Sequence, residues 1–218
     1  MLTHEPARVD LSQIASDVTA YYAGTLSQHG ATPRGVDWSC KPTQELRFVQ
    51  LLRLCSFDSA FSLNDIGCGY GALRGFLRHR HRLARVDYLG VDLSKAMIDS
   101  ARSRWGHLPQ TKFETAGAPL RLADYCVASG LFNVRLHHPD SDWEPWVAHT
   151  LLGLHAASQI GFAVNFMSPM QPGESSPQAL YRPAIEKWTS YCESTLQATV
   201  DLIAGYGMRE YTLLIRRR

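Results

Sequence analysis

The sequence predicts an α/β fold: a single, doubly wound and mostly parallel sheet of seven strands, with helices on both faces and an antiparallel C-terminal strand. Short apolar runs alternate with segments of helical periodicity from residue 61 to residue 166, and a turn rich in glycine follows the first run. Two further apolar runs, 200–204 and 210–215, flank a turn that contains Gly205 and Gly207. Because parallel strands need a crossover connection, usually a helix, this alternation favours a parallel sheet.

The individual elements follow from the spacing of the apolar residues. The predicted central strands are 61–66, 86–91, 110–115, 123–129 and 160–166, and predicted helices cover 11–26, 72–83, 94–105, 143–157 and 183–196. Another helix is predicted to begin at Thr43, which, like Ser94, is of a residue type that caps helix N-termini. Residues 168–179 contain three prolines, one glycine and three serines without periodicity. They predict a loop long enough to act as a lid.

Composition restricts the class of protein. The chain has 218 residues, of which 45% are hydrophobic and 19% are charged, and this suits one domain with one core. A formal net charge of +2 does not require a polyanionic partner. Five widely spaced cysteines without a Cys-x-x-Cys pair argue against a disulfide framework. Because no stretch looks like a signal peptide or a membrane span, we expect a cytoplasmic protein without a membrane partner.

The glycine-rich turn is the most informative segment. Gly67, Gly69 and Gly71 alternate between a predicted strand and a predicted helix, and Asp65 precedes them. A pyrophosphate-binding turn has the different spacing Gly-x-Gly-x-x-Gly. A carboxylate beside phosphates would also repel them, so Asp65 favours a ligand with a positive charge. S-adenosylmethionine, which carries an ammonium group and a sulfonium centre, meets that requirement.

A second acidic residue follows the next predicted strand. Asp92 lies 92 − 67 = 25 residues after Gly67. An acid at about this distance, at the carboxyl end of a strand, is placed to accept hydrogen bonds from the hydroxyls of an adenosine ribose. Since open α/β sheets bind ligands at the carboxyl ends of their strands, the glycine turn and Asp92 predict one shared site.

Together these residues resemble the class I (Rossmann-like) S-adenosylmethionine-dependent methyltransferases. The resemblance extends from about residue 61 to the final strand pair. It implies that S-adenosylmethionine is the donor and S-adenosylhomocysteine the product. Many members carry an acid after the third strand that binds the adenine amino group, whereas this chain has Ala116-Gly117 there, so that backbone groups would replace it. The donor-binding residues that the resemblance implies are Asp65, Gly67, Gly69, Gly71, Asp92, Leu93, Ala116, Gly117, Ser129 and Leu131.

The N-terminal part is similar to that of a subgroup of small bacterial methyltransferases of mostly unassigned substrate. In that subgroup a helix precedes the core and helps to close the site. The resemblance implies a helical lid over residues 1–57 and a donor-binding core over residues 58–218. Arg47 is a candidate for pairing with the methionine carboxylate, because a guanidinium group suits a carboxylate. The alternative is that Arg47 is a solvated helix residue.

His137 is the candidate general base. It lies beyond the fourth predicted strand, and a histidine could take a proton from an attacking hydroxyl or amine. The alternative is an exposed pair, His137-His138, in a loop that ends at Pro139. Trp143 and Trp146 could line an acceptor pocket, but packing of their helix on the sheet is the simpler interpretation. The histidines show no metal-ligand spacing, so no metal is expected.

These residues lead to three hypotheses about function. The first is in-line methyl transfer to an oxygen or nitrogen atom of a small molecule, such as a secondary metabolite, by a monomer or homodimer. The second is a nucleic-acid methyltransferase that uses the basic run 78–82, although no nucleic-acid partner is expected, because the net charge is modest and the run suits a solvated helix end. The third is a non-catalytic protein that binds S-adenosylmethionine and acts as a regulator or partner subunit.

Overall fold

The computed structural model describes residues 10–171, 173, 175, 177 and 179–218. The predicted absence of a signal peptide concerns mainly residues 1–9, which lie outside this range, as do four positions of the predicted lid loop. The seven strands form one sheet in the order β3-β2-β1-β4-β5-β7-β6. They are β1 Phe61–Ile66, β2 Val86–Asp92, β3 Thr111–Thr115, β4 Ala123–Ala128, β5 Ser158–Met167, β6 Thr199–Ile203 and β7 Glu210–Arg216.

The predicted fold is confirmed. The strands β1 to β5 pair in parallel, and β7 lies antiparallel between β5 and β6. The register pairs Ile66 with Val91 on one side of β1 and with Ala128 on the other. The chain leaves β1 towards β2 and β3 on one side and later returns to β4 on the other. Therefore the carboxyl end of β1 lies at the point where the strand order reverses, which is where such sheets bind ligands.

The helices lie near their predicted positions. They are α1 Leu11–His29, α2 Lys41–Leu51, α3 Ala72–Arg80, α4 Lys95–Trp105, α5 Asp140–Ala156 and α6 Ile185–Ser194, with short 3₁₀ turns at Pro33–Val36 and Leu52–Leu54. Ser94 caps α4 as predicted, since its Oγ accepts a hydrogen bond from the Met97 amide at 3.4 Å. Thr43 does not cap α2: the helix begins at Lys41, because Pro42 suits the first turn.

The core lies on both faces of the sheet, because side chains alternate along each strand. On β5, Phe162, Val164 and Phe166 pack on one face, while Ala163 packs on the other. The largest buried side chain of the first face is Trp143 of α5, and its neighbour Trp146 is also buried. Trp143 therefore has the packing role predicted for the pair, whereas Trp146 both packs in this core and borders the cavity at the carboxyl ends of the strands. The middle of β5 is therefore almost wholly apolar, and the polar side chain of Asn165 stands out within it.

All five cysteines are free thiols. In the part of the chain that the structure describes, no helix combines the length and the apolar character that crossing a bilayer would require.

A buried ion pair joins α2 to the last strand. The Arg47 Nε donates to Glu210 Oε2 at 3.0 Å, and the Arg47 Nη2 donates to Glu210 Oε1. Arg47 is 1% exposed and Glu210 is 5% exposed. The ring of Trp38 lies 3.6 Å from the guanidinium carbon. The chain that precedes the sheet is therefore anchored to β7 by a charge pair out of contact with water.

The first prediction concerns this ion pair. We expect Glu210→Gln to lower the free energy of unfolding by about 3–5 kcal/mol, because it leaves the Arg47 charge buried without a counter-charge. The exposed pair between Arg216 and Asp201 provides the matched control. The control variant Asp201→Asn should cost less than about 1 kcal/mol, since water solvates both groups. Denaturant unfolding measures both values, and equal losses would contradict the prediction.

Candidate functional site

A cavity of about 540 Å³ lies at the carboxyl ends of the central strands. Its floor consists of the loops that follow β1, β2, β3 and β4, and α1 and α2 cover it. Cavities of about 300–1,000 Å³ are typical of small-molecule and cofactor sites. The donor-side residues that line it are Asp65, Gly67, Gly69, Asp92, Leu93, Ala116, Gly117, Ser129 and Leu131. Nine of the predicted donor-binding residues therefore meet around one space.

The glycine turn forms one wall of the cavity. Gly67 and Gly69 have φ angles of +70° and +54°, which L side chains rarely adopt. A Cβ atom at Gly67 would lie 2.8 Å from the Leu131 side chain, and a Cβ atom at Gly69 would lie 3.1 Å from Val36. The bare backbone here thus leaves room that side chains would take.

Gly71 differs from the other two glycines. It is not among the described residues that line the cavity. A Cβ atom there would lie 2.7 Å from Trp105 and 3.1 Å from Phe113, and its φ angle of +78° ends the turn where α3 begins. The structure therefore does not support the predicted donor contact of Gly71: this glycine permits α3 to pack closely on its neighbours.

The Asp92 side chain links the glycine turn to the end of β2 by hydrogen bonds. Its Oδ2 accepts a hydrogen bond from the Gly69 amide at 2.9 Å, and its Oδ1 accepts one from the Ser94 amide at 2.8 Å. Burial raises the pKa of Asp92, and these two bonds act in the opposite direction. A carboxylate has about four acceptor positions, so the group can still accept ribose hydroxyls.

Asp65 is a buried carboxyl group at the end of β1. It is 1% exposed, and its Oδ2 accepts a hydrogen bond from the Tyr88 hydroxyl at 2.5 Å. Burial raises the pKa of Asp65 to about 7; the Tyr88 hydrogen bond opposes the shift, and the charge of Asp92 adds to it. A cation beside it would favour the ionised form, so Asp65 suits the ammonium group of an amino acid.

The segment after β3 lacks an acidic side chain, as its sequence shows. The Ala116 amide donates to the backbone oxygen of Asp92 at 3.1 Å, so this segment follows the end of β2 closely. A Cβ atom at Gly117 would lie 3.0 Å from the Leu93 side chain. Backbone groups and the apolar surface of Leu93 are thus available to a flat heterocycle.

Arg47 lines the cavity, but its partner is a protein carboxylate. The pair with Glu210 takes Nε and Nη2, while Nη1 lies against Gly130, where a Cβ atom would be only 2.2 Å away. The structure therefore supports neither the predicted pairing with a ligand carboxylate nor the alternative of a solvated helix residue. Arg47 instead shapes the cavity wall.

The Glu210 carboxylate is the centre of a polar network that sequence reasoning missed. The Asn165 Nδ2 donates to Oε2 at 3.1 Å, and the Asn133 Nδ2 donates to Oε1 at 3.3 Å. The Gly130 amide donates to Asn165 Oδ1 at 2.7 Å. The network therefore holds the turn after β4 against β5 and β7. Asn165, a lone amide within an apolar strand, was the one sequence signal that could have revealed it.

His137 does not reach the cavity. Its side chain is 75% exposed, and its Nε2 lies 3.6 Å from Asp17 Oδ2 of α1. It is not among the described residues that line the cavity, whereas its neighbour Leu136 is. This placement does not support the predicted role as general base.

The remaining wall of the cavity is largely aromatic and apolar. Tyr21 and Tyr22 of α1, Trp38, Trp146 of α5 and Leu180 line it. Burial, and then the nearby Asp37 carboxylate, raise the pKa of Tyr21 to about 12. The described residues of the predicted lid loop contribute Pro177 and Ala179.

The chain is also similar to known proteins. The chain is 36% identical over 166 residues to Rv1506c of Mycobacterium tuberculosis, a methyltransferase by its name; the match covers 76% of this chain and 99% of that protein. No protein-family model matches the chain.

Two solved structures share the fold. Magnesium protoporphyrin IX methyltransferase of Synechocystis, with bound S-adenosylhomocysteine, has a TM-score of 0.64 at 11% identity. The match covers 96% of this chain and 100% of that one. Phosphoethanolamine N-methyltransferase 1 of Haemonchus contortus, in complex with phosphoethanolamine and S-adenosylhomocysteine, has a TM-score of 0.65 at 12% identity; the match covers 94% of this chain and 49% of that one. Together with the sheet order, the glycine turn and the two acidic residues of the cavity, the relative in M. tuberculosis shows that this chain belongs to the class I S-adenosylmethionine-dependent methyltransferases.

Proposed function

We propose that the protein transfers the methyl group of S-adenosylmethionine to an oxygen or nitrogen atom of a planar, mainly apolar small molecule. The observation that carries this proposal is the single cavity, which joins the donor-side residues to a wall of tyrosines and tryptophans. The two structural neighbours act on a large macrocycle and on a small charged amine by their names. The aromatic and apolar lining of this cavity suits a flat, apolar acceptor better than a small charged amine.

On the donor side, the proposal assigns a separate part of the ligand to each group. Asp65 binds the ammonium group, and Asp92 accepts hydrogen bonds from the ribose hydroxyls. Ala116 and Gly117 offer backbone groups to the adenine edge. Ser129 and Leu131 lie near the reacting carbon. The bare backbone at Gly67 and Gly69 supports this assignment, because side chains there would fill the space beside the two acids.

The proposed reaction needs alignment more than acid–base chemistry. The bound donor supplies an activated methyl group on a sulfonium centre. The protein's own contribution is to hold an acceptor atom in line and to exclude water; well-oriented reactants reach effective molarities of about 10⁵–10⁸ M. Tyr22 and Trp146 would pack against the flat faces of an acceptor. The exposed His137 takes no part in this proposal.

We further propose that residues 1–57 act as a lid. Val18 and Tyr22 of α1 cover the cavity, and Trp38 stacks on Arg47 at its edge. The basic run that would suit a nucleic acid lies elsewhere: the described residues that line the cavity do not include Arg78 or Arg80. A small acceptor that enters past α1 therefore fits the geometry better than a polynucleotide does.

The second prediction concerns Asp92. We expect Asp92→Asn and Asp92→Ala to weaken the binding of S-adenosylhomocysteine by about 10- to 100-fold, because hydrogen bonds to a charged acceptor contribute about 1.5–3 kcal/mol. Asp99 is the control, since it is exposed on α4 and pairs with Lys95. Titration calorimetry should show unchanged binding for Asp99→Ala. Unchanged binding in both Asp92 variants would overturn the assignment.

The third prediction concerns the pH dependence of Asp65. An unfolded chain ionises this carboxyl near 3.8, whereas the folded chain does so at about 7. The folded state therefore holds the extra proton between these values, and its stability falls as the pH rises through this interval. Asp65→Asn should then raise the free energy of unfolding at pH 8, by up to about 4 kcal/mol at 1.36 kcal/mol per pH unit.

The same variant should bind the donor more weakly. In the wild type, affinity for S-adenosylmethionine should fall as the pH drops below about 7, because the proton neutralises the carboxylate that binds the ammonium group. In Asp65→Asn this dependence should vanish. Unfolding at pH 5 is the internal control. The gain in the free energy of unfolding of Asp65→Asn over the wild type must be smaller at pH 5 than at pH 8, because the wild-type carboxyl group keeps its proton at pH 5. Wild-type affinity that stays constant between pH 6 and 8 would contradict the proposed contact.

The fourth prediction tests turnover. Incubation with S-adenosylmethionine and a panel of phenols and aromatic amines should yield S-adenosylhomocysteine and a product heavier by one methylene group. Acyclic amines such as phosphoethanolamine, the matched control for acceptor shape, should give none. Trp146→Ala should reduce product formation while the affinity for S-adenosylhomocysteine stays unchanged. Tight donor binding without any product across the panel would favour the non-catalytic alternative.

A further inference from the structure

Three polar side chains meet outside the cavity, and the proposed reaction uses none of them. They are Asp17 of α1 and the neighbours His137 and His138, which lie between β4 and α5. The Asp17 Oδ2 lies 3.6 Å from the His137 Nε2 and 3.1 Å from the His138 Nε2. One ligand atom from each of the three residues lies within 4.8 Å of the other two.

The environment of His138 points to a ligand. Its side chain is only 9% exposed. Within the part of the chain that the structure describes, its Nε2 has no hydrogen-bond partner, although Asp17 is close. A buried nitrogen left without a partner costs about 1–3 kcal/mol. The backbone of His138 is held in place, since its oxygen accepts a hydrogen bond from the Arg135 Nη1 at 3.0 Å.

The carboxylate is oriented towards the two imidazoles. The Gln13 side chain donates to Asp17 Oδ1 at 2.8 Å, so that Oδ2 is the atom that faces the histidines. Two imidazole nitrogens and one carboxylate oxygen form a ligand set that suits Zn²⁺. Tetrahedral ligands at about 2.0–2.2 Å from a zinc ion lie about 3.3–3.5 Å from one another. The two measured separations lie on either side of this range.

We propose that Asp17, His137 and His138 form a binding site for a divalent transition-metal ion of the zinc type, with water as the fourth ligand. The site is structural and lies apart from the reacting atoms. It joins α1 to the segment after β4, and both elements line the cavity, through Val18 and Leu136 respectively. A bound metal ion would therefore hold α1 over the cavity. The sequence could not show the site, because Asp17 lies 137 − 17 = 120 residues from His137.

Zinc titration of the full chain, produced without a histidine tag and stripped of metal, tests the proposal. The wild type should bind one Zn²⁺ per chain, and zinc should raise its melting temperature and slow hydrogen exchange in α1. Both His137→Gln and Asp17→Asn should weaken zinc binding by more than about tenfold. His137 is largely exposed, so its replacement removes a ligand while the fold stays intact. Replacement of zinc by Co²⁺ should give visible absorption typical of tetrahedral coordination in the wild type only.

His149→Gln is the matched control, because His149 is exposed on α5 and does not belong to the group of ligand atoms formed by Asp17, His137 and His138. Its zinc affinity should equal that of the wild type. The proposal is overturned if the wild type binds no zinc at 100-fold excess over protein, or if His137→Gln and Asp17→Asn bind zinc as tightly as the wild type does.

Discussion

The buried pair between Arg47 and Glu210 is the interaction on which the arrangement of the site depends. A charged guanidinium removed from water requires an opposite charge and further hydrogen bonds. Glu210 supplies the opposite charge and the hydrogen-bond acceptors for Arg47, and the amides of Asn165 and Asn133 donate further hydrogen bonds to Glu210. The network thereby joins α2, the turn after β4, and the strands β5 and β7. The covering helices and the sheet thus form one cavity instead of two loosely apposed parts.

The glycine turn shows how one short motif serves two purposes. Gly67 and Gly69 leave bare backbone on the cavity wall, whereas Gly71 allows α3 to lie against Trp105 and Phe113. The Asp92 carboxylate joins these roles, because it accepts the Gly69 amide and also lines the cavity. The shape of the turn and the position of the Asp92 carboxylate are therefore coupled through this hydrogen bond.

Asp65 and Asp92 place two carboxyl groups beside the same cavity. Asp65 and Asp92 lie close enough for the charge of Asp92 to raise the pKa of Asp65. When two carboxyl groups lie close together, the charge of each one disfavours ionisation of the other. A cation that binds between them would relieve this repulsion. If the cavity binds the donor as proposed, this repulsion is a compromise between function and stability of a kind common in proteins.

The sequence by itself determined the order of strands and helices and the positions of Asp65, Asp92 and the glycines, because apolar periodicity and turn chemistry are local properties. It also indicated the donor, since a carboxylate beside a glycine turn favours a cationic ligand. Only the tertiary structure decided the partners of Arg47 and His137. Glu210 lies 210 − 47 = 163 residues from Arg47, and Asp17 lies 120 residues from His137. Contacts over such separations depend on how the sheet and helices pack, and no local pattern encodes that packing.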